Sequence, residues 1–200
     1  YISDIYKRSC INQFVIAAFL FGGIWINIDN ILEILGPDYD GAKWVIFAIG
    51  MANVFEMGTG ANAQIISFSK NYKVALYFLL VLIILVVSTM LVFIPMWGIV
   101  GAAFAIAASV FANNIMRYIY ILAKYGMQPF TFKFFWVVPV FGAAYFLSTF
   151  FSFDQLILNI LIRSSIFSII FILLILIFRV SEDINSMADI FKKRLSEYRK

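Results

Sequence analysis

Glu56 is an ionisable residue inside a long apolar stretch, and its position points to chemistry within a membrane. It lies near the middle of the nearly uncharged run 44–66. At a rise of about 1.5 Å per residue, this is close to the centre of a membrane-spanning helix. An ionised group there costs at least about 2.5–3 kcal/mol unless it faces protein or water. Asn53, Gly60 and Gln64 share a helical arc of about 80° with Glu56, which predicts a polar stripe.

Two interpretations of this stripe stay open. In the first, Asn53, Glu56 and Gln64 line a hydrated cavity, and Glu56 is a proton or cation site. In the second, Glu56 is a buried carboxyl that desolvation keeps neutral, and its hydrogen bond to a neighbouring helix holds the two helices together.

Two arginines also lie in apolar runs. Arg117 follows Ser109 and Asn113 at helical spacing, and Arg163 comes one turn after Asn159. The guanidinium fork matches phosphate geometry, so both are candidates for binding an anionic head group. Each also has a simpler interpretation: Arg117 as ordinary cytoplasmic charge, and Arg163 as a residue that snorkels to the interface or pairs with a carboxylate.

The residue inventory excludes several classes of chemistry. The sequence has no histidine and a single cysteine, Cys10, so a Ser–His–Asp triad, a histidine-ligated metal and an internal disulfide cannot form within it. Walker loops, dinucleotide fingerprints, zinc spacings and nucleophile elbows are absent. We therefore predict no catalytic residue, no metal, no cofactor and no enzymatic activity.

The composition specifies the solvent in which these residues act. Hydrophobic side chains make up 64% of the 200 residues, charged ones only 13%, and the mean hydropathy is +0.96. Soluble domains are roughly 45–50% apolar and roughly 25% charged. The sequence therefore predicts an all-α, polytopic bundle of about six spans of about 20 residues each. The predicted spans are Ser9–Ile28, Trp44–Ile66, Val74–Ile94, Gly98–Ile121, Phe134–Phe153 and Leu156–Phe178.

Turn residues separate the predicted spans. Breaks are predicted at 36–41, at the hairpin 95–98 and at 152–154, and short links make successive helices antiparallel neighbours. A face of small residues that allows close helix packing is predicted at Gly98, Gly101, Ala102, Ala105 and Ala108.

Charge predicts the orientation of the bundle. All but two of the fifteen basic residues, Lys43 and Arg163, fall at one set of span ends. Cytoplasmic loops carry such an excess of Lys and Arg, so both ends of the chain are predicted to be cytoplasmic. This basic set is Lys7, Arg8, Lys70, Lys73, Arg117, Lys124, Lys133, Arg179, Lys192, Lys193, Arg194, Arg199 and Lys200; the opposite set is Asp29, Glu33, Asp38, Asp40 and Asp154.

The last twenty residues change character. Ser181 is predicted to cap a helix whose first turn, Glu182 and Asp183, is acidic. Either this helix lies on the anionic inner leaflet or it is a solvated tail; both remain open. Its apolar positions are Ile184, Met187, Phe191, Leu195 and Tyr198.

Three segments, in this order, resemble a known family. They are 34–39 (ILGPDY), 67–73 (SFSKNYK) and 94–105 (IPMWGIVGAAFA). The order looks like the C-terminal half of the O-antigen-type polysaccharide biosynthesis flippases, in the MATE-like multidrug/oligosaccharidyl-lipid/polysaccharide exporter superfamily. The position of Trp97 is often Tyr in that family.

The resemblance implies a larger parent with two lobes around a cavity. Residues 1–133 would form four helices of the second lobe, 134–180 two additional helices, and 181–200 a cytoplasmic amphipathic tail. Because the sequence starts with Tyr1 and not Met, we expect a piece of that parent that lacks the N-terminal lobe and is inactive alone.

The family moves undecaprenyl-pyrophosphate-linked oligosaccharides across the bacterial cytoplasmic (inner) membrane. The implied partners are the lipid bilayer, a lipid-linked oligosaccharide and the missing lobe; nucleic acid is not expected, since membrane topology explains the basic residues. Two alternatives remain: a cation-coupled multidrug exporter of related fold, and an integral-membrane glycan polymerase or acyltransferase. The second alternative fits less well, because histidine is absent and the outward loops other than 29–43 are short.

Overall fold

A computed structural model describes residues 1–39, 41–151, 153 and 155–198, without the side chains of 191 and 195–198. Of these described residues, 86% are helical and none lies in a β-strand. Predictions for Asp40, Ser152, Asp154, Arg199 and Lys200, and for the side chains of Phe191, Leu195 and Tyr198, lie outside the described residues. The α-helices are α1 (Ile2–Trp25), α2 (Ile28–Leu35), α3 (Ala42–Thr59), α4 (Asn62–Ser67), α5 (Lys73–Tyr125), α6 (Phe132–Phe135), α7 (Val137–Thr149), α8 (Leu156–Ile177) and α9 (Glu182–Tyr198).

Several of these helices are suited to a membrane. Four stretches are long and apolar enough to cross one: Ile2–Trp25, Lys73–Tyr125, Phe132–Thr149 and Leu156–Ile177. Large apolar side chains also remain exposed on the outside of the bundle, among them Leu91, Ile99 and Ile157. Lipid removes the cost of exposing such surface, which water would impose. The protein is therefore an all-helical protein with apolar helices compatible with a membrane bundle.

The longest helix, α5, is a hairpin. Gly98 has φ 57° and ψ −131°, a conformation that only glycine adopts readily, and it separates a first arm (73–97) from a second arm (99–125). The arms run antiparallel: Thr89 Oγ1 lies 2.9 Å from Ser109 Oγ, and the rings of Phe78 and Tyr120 are 5.8 Å apart. The predicted hairpin at 95–98 is confirmed.

Small residues let the two arms approach closely. Gly101, Ala105 and Ser109 recur every four residues and are buried, whereas Ala108 is exposed. A Cβ atom added at Gly101 would collide with the backbone carbonyl of Phe93 on the first arm. The packing face is therefore narrower than the predicted one, because it follows the i, i+4 row that faces the first arm.

Helix α1 occupies a central place in the bundle. One face contacts α3, and another packs on α7 and α8 in the main apolar core. That core contains Ile11, Val15, Ala18, Ile26, Val137, Val140, Ala144, Phe167, Phe171, Ile175 and Val180. The predicted segment boundary at 133/134 falls inside α6, and the division of the chain into those segments stays a prediction.

The bundle has two chemically different ends. At the basic end, the start of α1 meets α4 and both termini of α5, in a cluster formed by Tyr6, Cys10, Ile66 and Ile121. At the opposite, acidic end, α1 gives way to α2, and α3 and α8 begin. Lys7, Arg8, Lys70, Lys73, Lys124 and Lys133 belong to the first end, and Asp29, Glu33 and Asp38 to the second.

Two predicted spans are interrupted. The run 9–28 ends as a helix at Trp25, where the Asn27 side chain donates to the carbonyl of Gly23 (3.0 Å) and competes with the helical ladder. The helix α2 then occupies part of the predicted loop 29–43. The run 44–66 breaks between α3 and α4, where Thr59 bonds back to the carbonyls of Phe55 and Glu56.

The C-terminal helix α9 is tied to the basic end. Ser181 Oγ accepts from the backbone N–H of Ile184 (3.2 Å), so the predicted N-cap is confirmed. Arg8 Nη2 lies 3.1 Å from Glu182 Oε2, and Asn12 Nδ2 donates to Asp183 Oδ2 at 2.7 Å. The first turn of α9 is thus held on α1 by charge and by hydrogen bonds.

The close approach of the α5 arms gives a test. Gly101→Ala should lower the free energy of unfolding by about 1–3 kcal/mol, since its methyl group must displace the backbone of Phe93. Gly142→Ala adds the same methyl group to α7, where nothing lies within 4 Å, and should not destabilise. Thermal unfolding of the purified protein in detergent measures both; equal midpoints for the two variants would contradict the hairpin packing.

Candidate functional site

Glu56 and Arg117 form the centre of the candidate site. Glu56 lies on α3 and Arg117 on the second arm of α5, and both side chains are half-buried. The two helices run in the same direction, as the contacts Gly41–Val100 and Phe55–Phe111 show. Helices α3 and α5 are in contact along this interface. The fold therefore places on neighbouring helices two residues that the sequence suggested separately.

Arg117 is oriented by a hydrogen-bonding network. The side-chain amide of Asn113 is assigned the orientation that matches its two neighbours. Its oxygen then accepts from Arg117 Nη2 (3.1 Å), and its nitrogen donates to the backbone carbonyl of Phe78 (3.1 Å). One turn further, Ser109 donates to the carbonyl of Ala105 (2.7 Å) and contacts Thr89. The predicted polar edge 109–113–117 is therefore a continuous row that faces the first arm.

A small pocket lies beside Arg117. It has a volume of about 260 Å³ and lies between α4 and the two arms of α5, at the basic end. Arg117 is the charged residue in a lining that is otherwise mainly apolar, with Ala63, Ile66, Ser67, Ala75, Leu76, Phe78 and Leu79. Such a site can hold an anionic group against the guanidinium and an apolar group against the walls.

The helix break next to this site is lined by polar groups. Asn62 opens α4 and accepts a hydrogen bond from the Tyr6 hydroxyl. A Cβ atom at Gly60 would collide with Gln13 Oε1, so glycine leaves room for the Gln13 side chain at the break. Non-helical backbone within an apolar bundle is tolerated where protein or water satisfies it, and broken helices commonly line transport sites.

The other residues of the predicted stripe lie apart from Arg117 and its pocket. Asn53 is exposed, donates to the carbonyl of Ile49 (2.9 Å), and lines a groove of about 370 Å³ between α1 and α3. Gln64 is exposed on α4, beyond the break. Because the break interrupts the helix, the four positions do not form one straight face. The ion-coupling roles of Asn53, Glu56 and Gln64 stay predictions.

Arg163 lies at the other end of the bundle. Its Nε donates to the backbone carbonyl of Phe151 (2.9 Å), just after the end of α7. A cation at a helix C-terminus satisfies carbonyls that have no helical partner and complements the helix dipole. This contact favours the anchoring interpretation, and the head-group role of Arg163 stays a prediction.

A second polar group, at the acidic end, was not predicted from the sequence. Asn27, Asn30 and Asn159 are buried together where α1, α2 and α8 meet. A signal was present: each is an amide that borders or interrupts an apolar run. Their proximity depends on the break after α1, which hydropathy alone does not show.

No family model, no curated protein and no solved structure matches this chain. The likeness to the MATE-like flippases therefore rests on the three sequence segments.

The Arg117–Asn113 contact gives a second test. Arg117→Gln should lower stability by about 1–2 kcal/mol, because it leaves the Asn113 amide oxygen without its charged donor. In a double-mutant cycle with Asn113→Leu, we expect a coupling of about 0.5–3 kcal/mol, measured by unfolding of the detergent-solubilised protein. Lys124→Gln removes an exposed cation at the same end and serves as control. Strict additivity of the two substitutions would show that the pair does not interact.

Proposed function

We propose that the chain is part of a membrane transporter that translocates a lipid-linked oligosaccharide of the undecaprenyl-pyrophosphate type across the bacterial cytoplasmic membrane. In this proposal the bundle has six spans and a MATE-like fold: α1, α3 with α4, the two arms of α5, α6 with α7, and α8. Both chain ends face the cytoplasm, and a further lobe completes the transport cavity.

The observation that supports this proposal is Arg117, oriented by Asn113, beside an apolar pocket and a broken helix. The substrate class combines a doubly anionic pyrophosphate with a long hydrocarbon chain. Arg117 offers a guanidinium already oriented by Asn113, and the pocket walls are apolar. Its location at the basic end fits a step in which the head group is received on the cytoplasmic side.

The proposal also includes a way to couple transport to an ion. In it, a charged Glu56 on α3 competes with the substrate phosphate for Arg117 on the neighbouring α5. A proton or cation on Glu56 removes this competition and favours head-group binding; its departure favours release. A ligand shifts a conformational equilibrium only through such differences in affinity between states.

A cation-coupled multidrug exporter is the second candidate. The groove between α1 and α3 favours it, because its lining is apolar apart from Gln13 and Asn53. A hydrophobic drug with one polar group fits such a surface. Accumulation of lipid-linked glycan separates the two candidates.

Genetic complementation tests the flippase proposal. Depletion of the full-length protein in its host should cause lipid-linked repeat units to accumulate inside the cell, as measured by lipid extraction and mass spectrometry. Arg117→Gln should restore surface glycan about 10- to 100-fold less well than wild type, the loss expected for a charge-assisted phosphate contact, and Arg117→Lys should be intermediate. Lys124→Gln should complement fully. Unchanged glycan export with altered drug tolerance would instead favour the exporter.

A second experiment tests the coupling role of Glu56. Glu56→Gln preserves the shape of the side chain but removes its titratable group. In proteoliposomes of the full-length protein, this substitution should abolish the dependence of transport on the pH gradient or cation gradient, while binding of the head group persists. Glu33→Gln makes the same change at an exposed carboxylate on α2 and is the control. Unaltered transport and gradient dependence in Glu56→Gln would overturn the coupling role.

A further inference from the structure

Three asparagines form a buried cluster at the acidic end. Asn27 lies in the break between α1 and α2, Asn30 on α2, and Asn159 in the first turns of α8. Their exposed fractions are 3%, 8% and 8%, so each side chain is more than nine-tenths buried. The neighbouring core is apolar, with Ile26 and Ile28 also buried here. An amide in such surroundings must find hydrogen-bond partners.

Part of the hydrogen-bonding capacity is used within the cluster. Asn27 Nδ2 donates to Ser164 Oγ on α8 (2.8 Å) and to the carbonyl of Gly23 (3.0 Å). Asn159 Nδ2 donates to Asn30 Oδ1 (3.2 Å). These bonds join α8 to both sides of the α1–α2 break.

Three buried polar atoms of the cluster have no protein partner. They are the carbonyl oxygens Asn27 Oδ1 and Asn159 Oδ1, and the amide nitrogen Asn30 Nδ2. Leaving a buried polar group unpaired costs about 1–3 kcal/mol, so three in one place indicate a bound polar group. The unpartnered atoms are two acceptor oxygens and one amide nitrogen, which carries two N–H donors.

We propose that this cluster is a binding site for one water molecule that bridges α8 to the α1–α2 break. Water has two O–H donors for the oxygens of Asn27 and Asn159, and a lone pair that accepts from Asn30 Nδ2. Buried waters typically make about three hydrogen bonds to groups that lack other partners. A metal cation would match the two oxygens but would be repelled by the Asn30 amide hydrogens, and an anion would be repelled by both oxygens.

The bridging water links α8 to the α1–α2 break at the acidic end by hydrogen bonds between uncharged groups. It completes the hydrogen bonding of the α1–α2 break through a contact with α8, without introducing a charge into the bundle. This inference does not depend on the proposed transport function, because it follows from the hydrogen-bond inventory alone.

A high-resolution structure of the wild-type protein in a lipid nanodisc tests the site directly. We expect one isolated density peak about 2.7–3.2 Å from Asn27 Oδ1, Asn159 Oδ1 and Asn30 Nδ2. Absence of a peak would overturn the proposal. A peak closer than about 2.6 Å to the two oxygens, together with a stability that rises with added sodium or calcium ions, would identify a cation and would also overturn it.

Substitutions provide an independent check. Asn159→Leu should lower the midpoint of thermal unfolding by about 2–6 °C, because it strands the polar atoms of Asn27 and Asn30 and displaces the water. The double variant Asn27→Leu/Asn159→Leu should lose less than the sum of the two single variants, since these two side chains are joined only through the water. Gln155→Leu changes an exposed amide immediately before α8 that makes no capping bond, and it should have little effect. Additive losses in the double variant would argue against a shared bridging water.

Discussion

Lipid has no hydrogen-bond donors or acceptors in its hydrocarbon core, so each polar group there must find its partner within the protein. This constraint explains why the described chain consists of helices, in which the backbone satisfies itself. It also explains the behaviour of isolated hydroxyls: Ser148 donates to the carbonyl of Ala144 and Ser165 to that of Leu161, one turn earlier in each case. Such bonds cost the helix little and leave no unpaired group towards lipid.

The constraint is hardest to meet where a helix breaks, and the polar residues of this protein gather at its two breaks. Asn27 and Asn30 are found where α1 gives way to α2, and Asn62 where α3 gives way to α4. At each break, a distant helix supplies a side chain that hydrogen-bonds to the asparagine there: Asn159 at the first, and Tyr6 at the second. The breaks are therefore places where directional polar contacts add to the apolar packing of the bundle.

Much of the local structure could be predicted from the sequence. The apolar class, the hairpin at Gly98, the N-cap at Ser181 and the polar edge ending at Arg117 all depend on residues close in sequence. The proximity of Glu56 and Arg117 could not be predicted in this way, because it depends on the relative height of α3 and the second arm of α5. The two breaks were missed for a related reason: hydropathy is averaged over about 20 residues and is insensitive to one or two that leave the helical conformation.

Helix α1 belongs to two halves of the bundle at once, since one face contacts α3 and another lies against α7 and α8. The ribosome makes α1 long before α7 and α8. During that interval Ile11, Val15 and Ala18, which end in the main core, must be covered by lipid or by an insertion factor. The core therefore closes late in biogenesis, and a chain truncated before α8 would retain the α5 hairpin but leave this face of α1 open to misassembly.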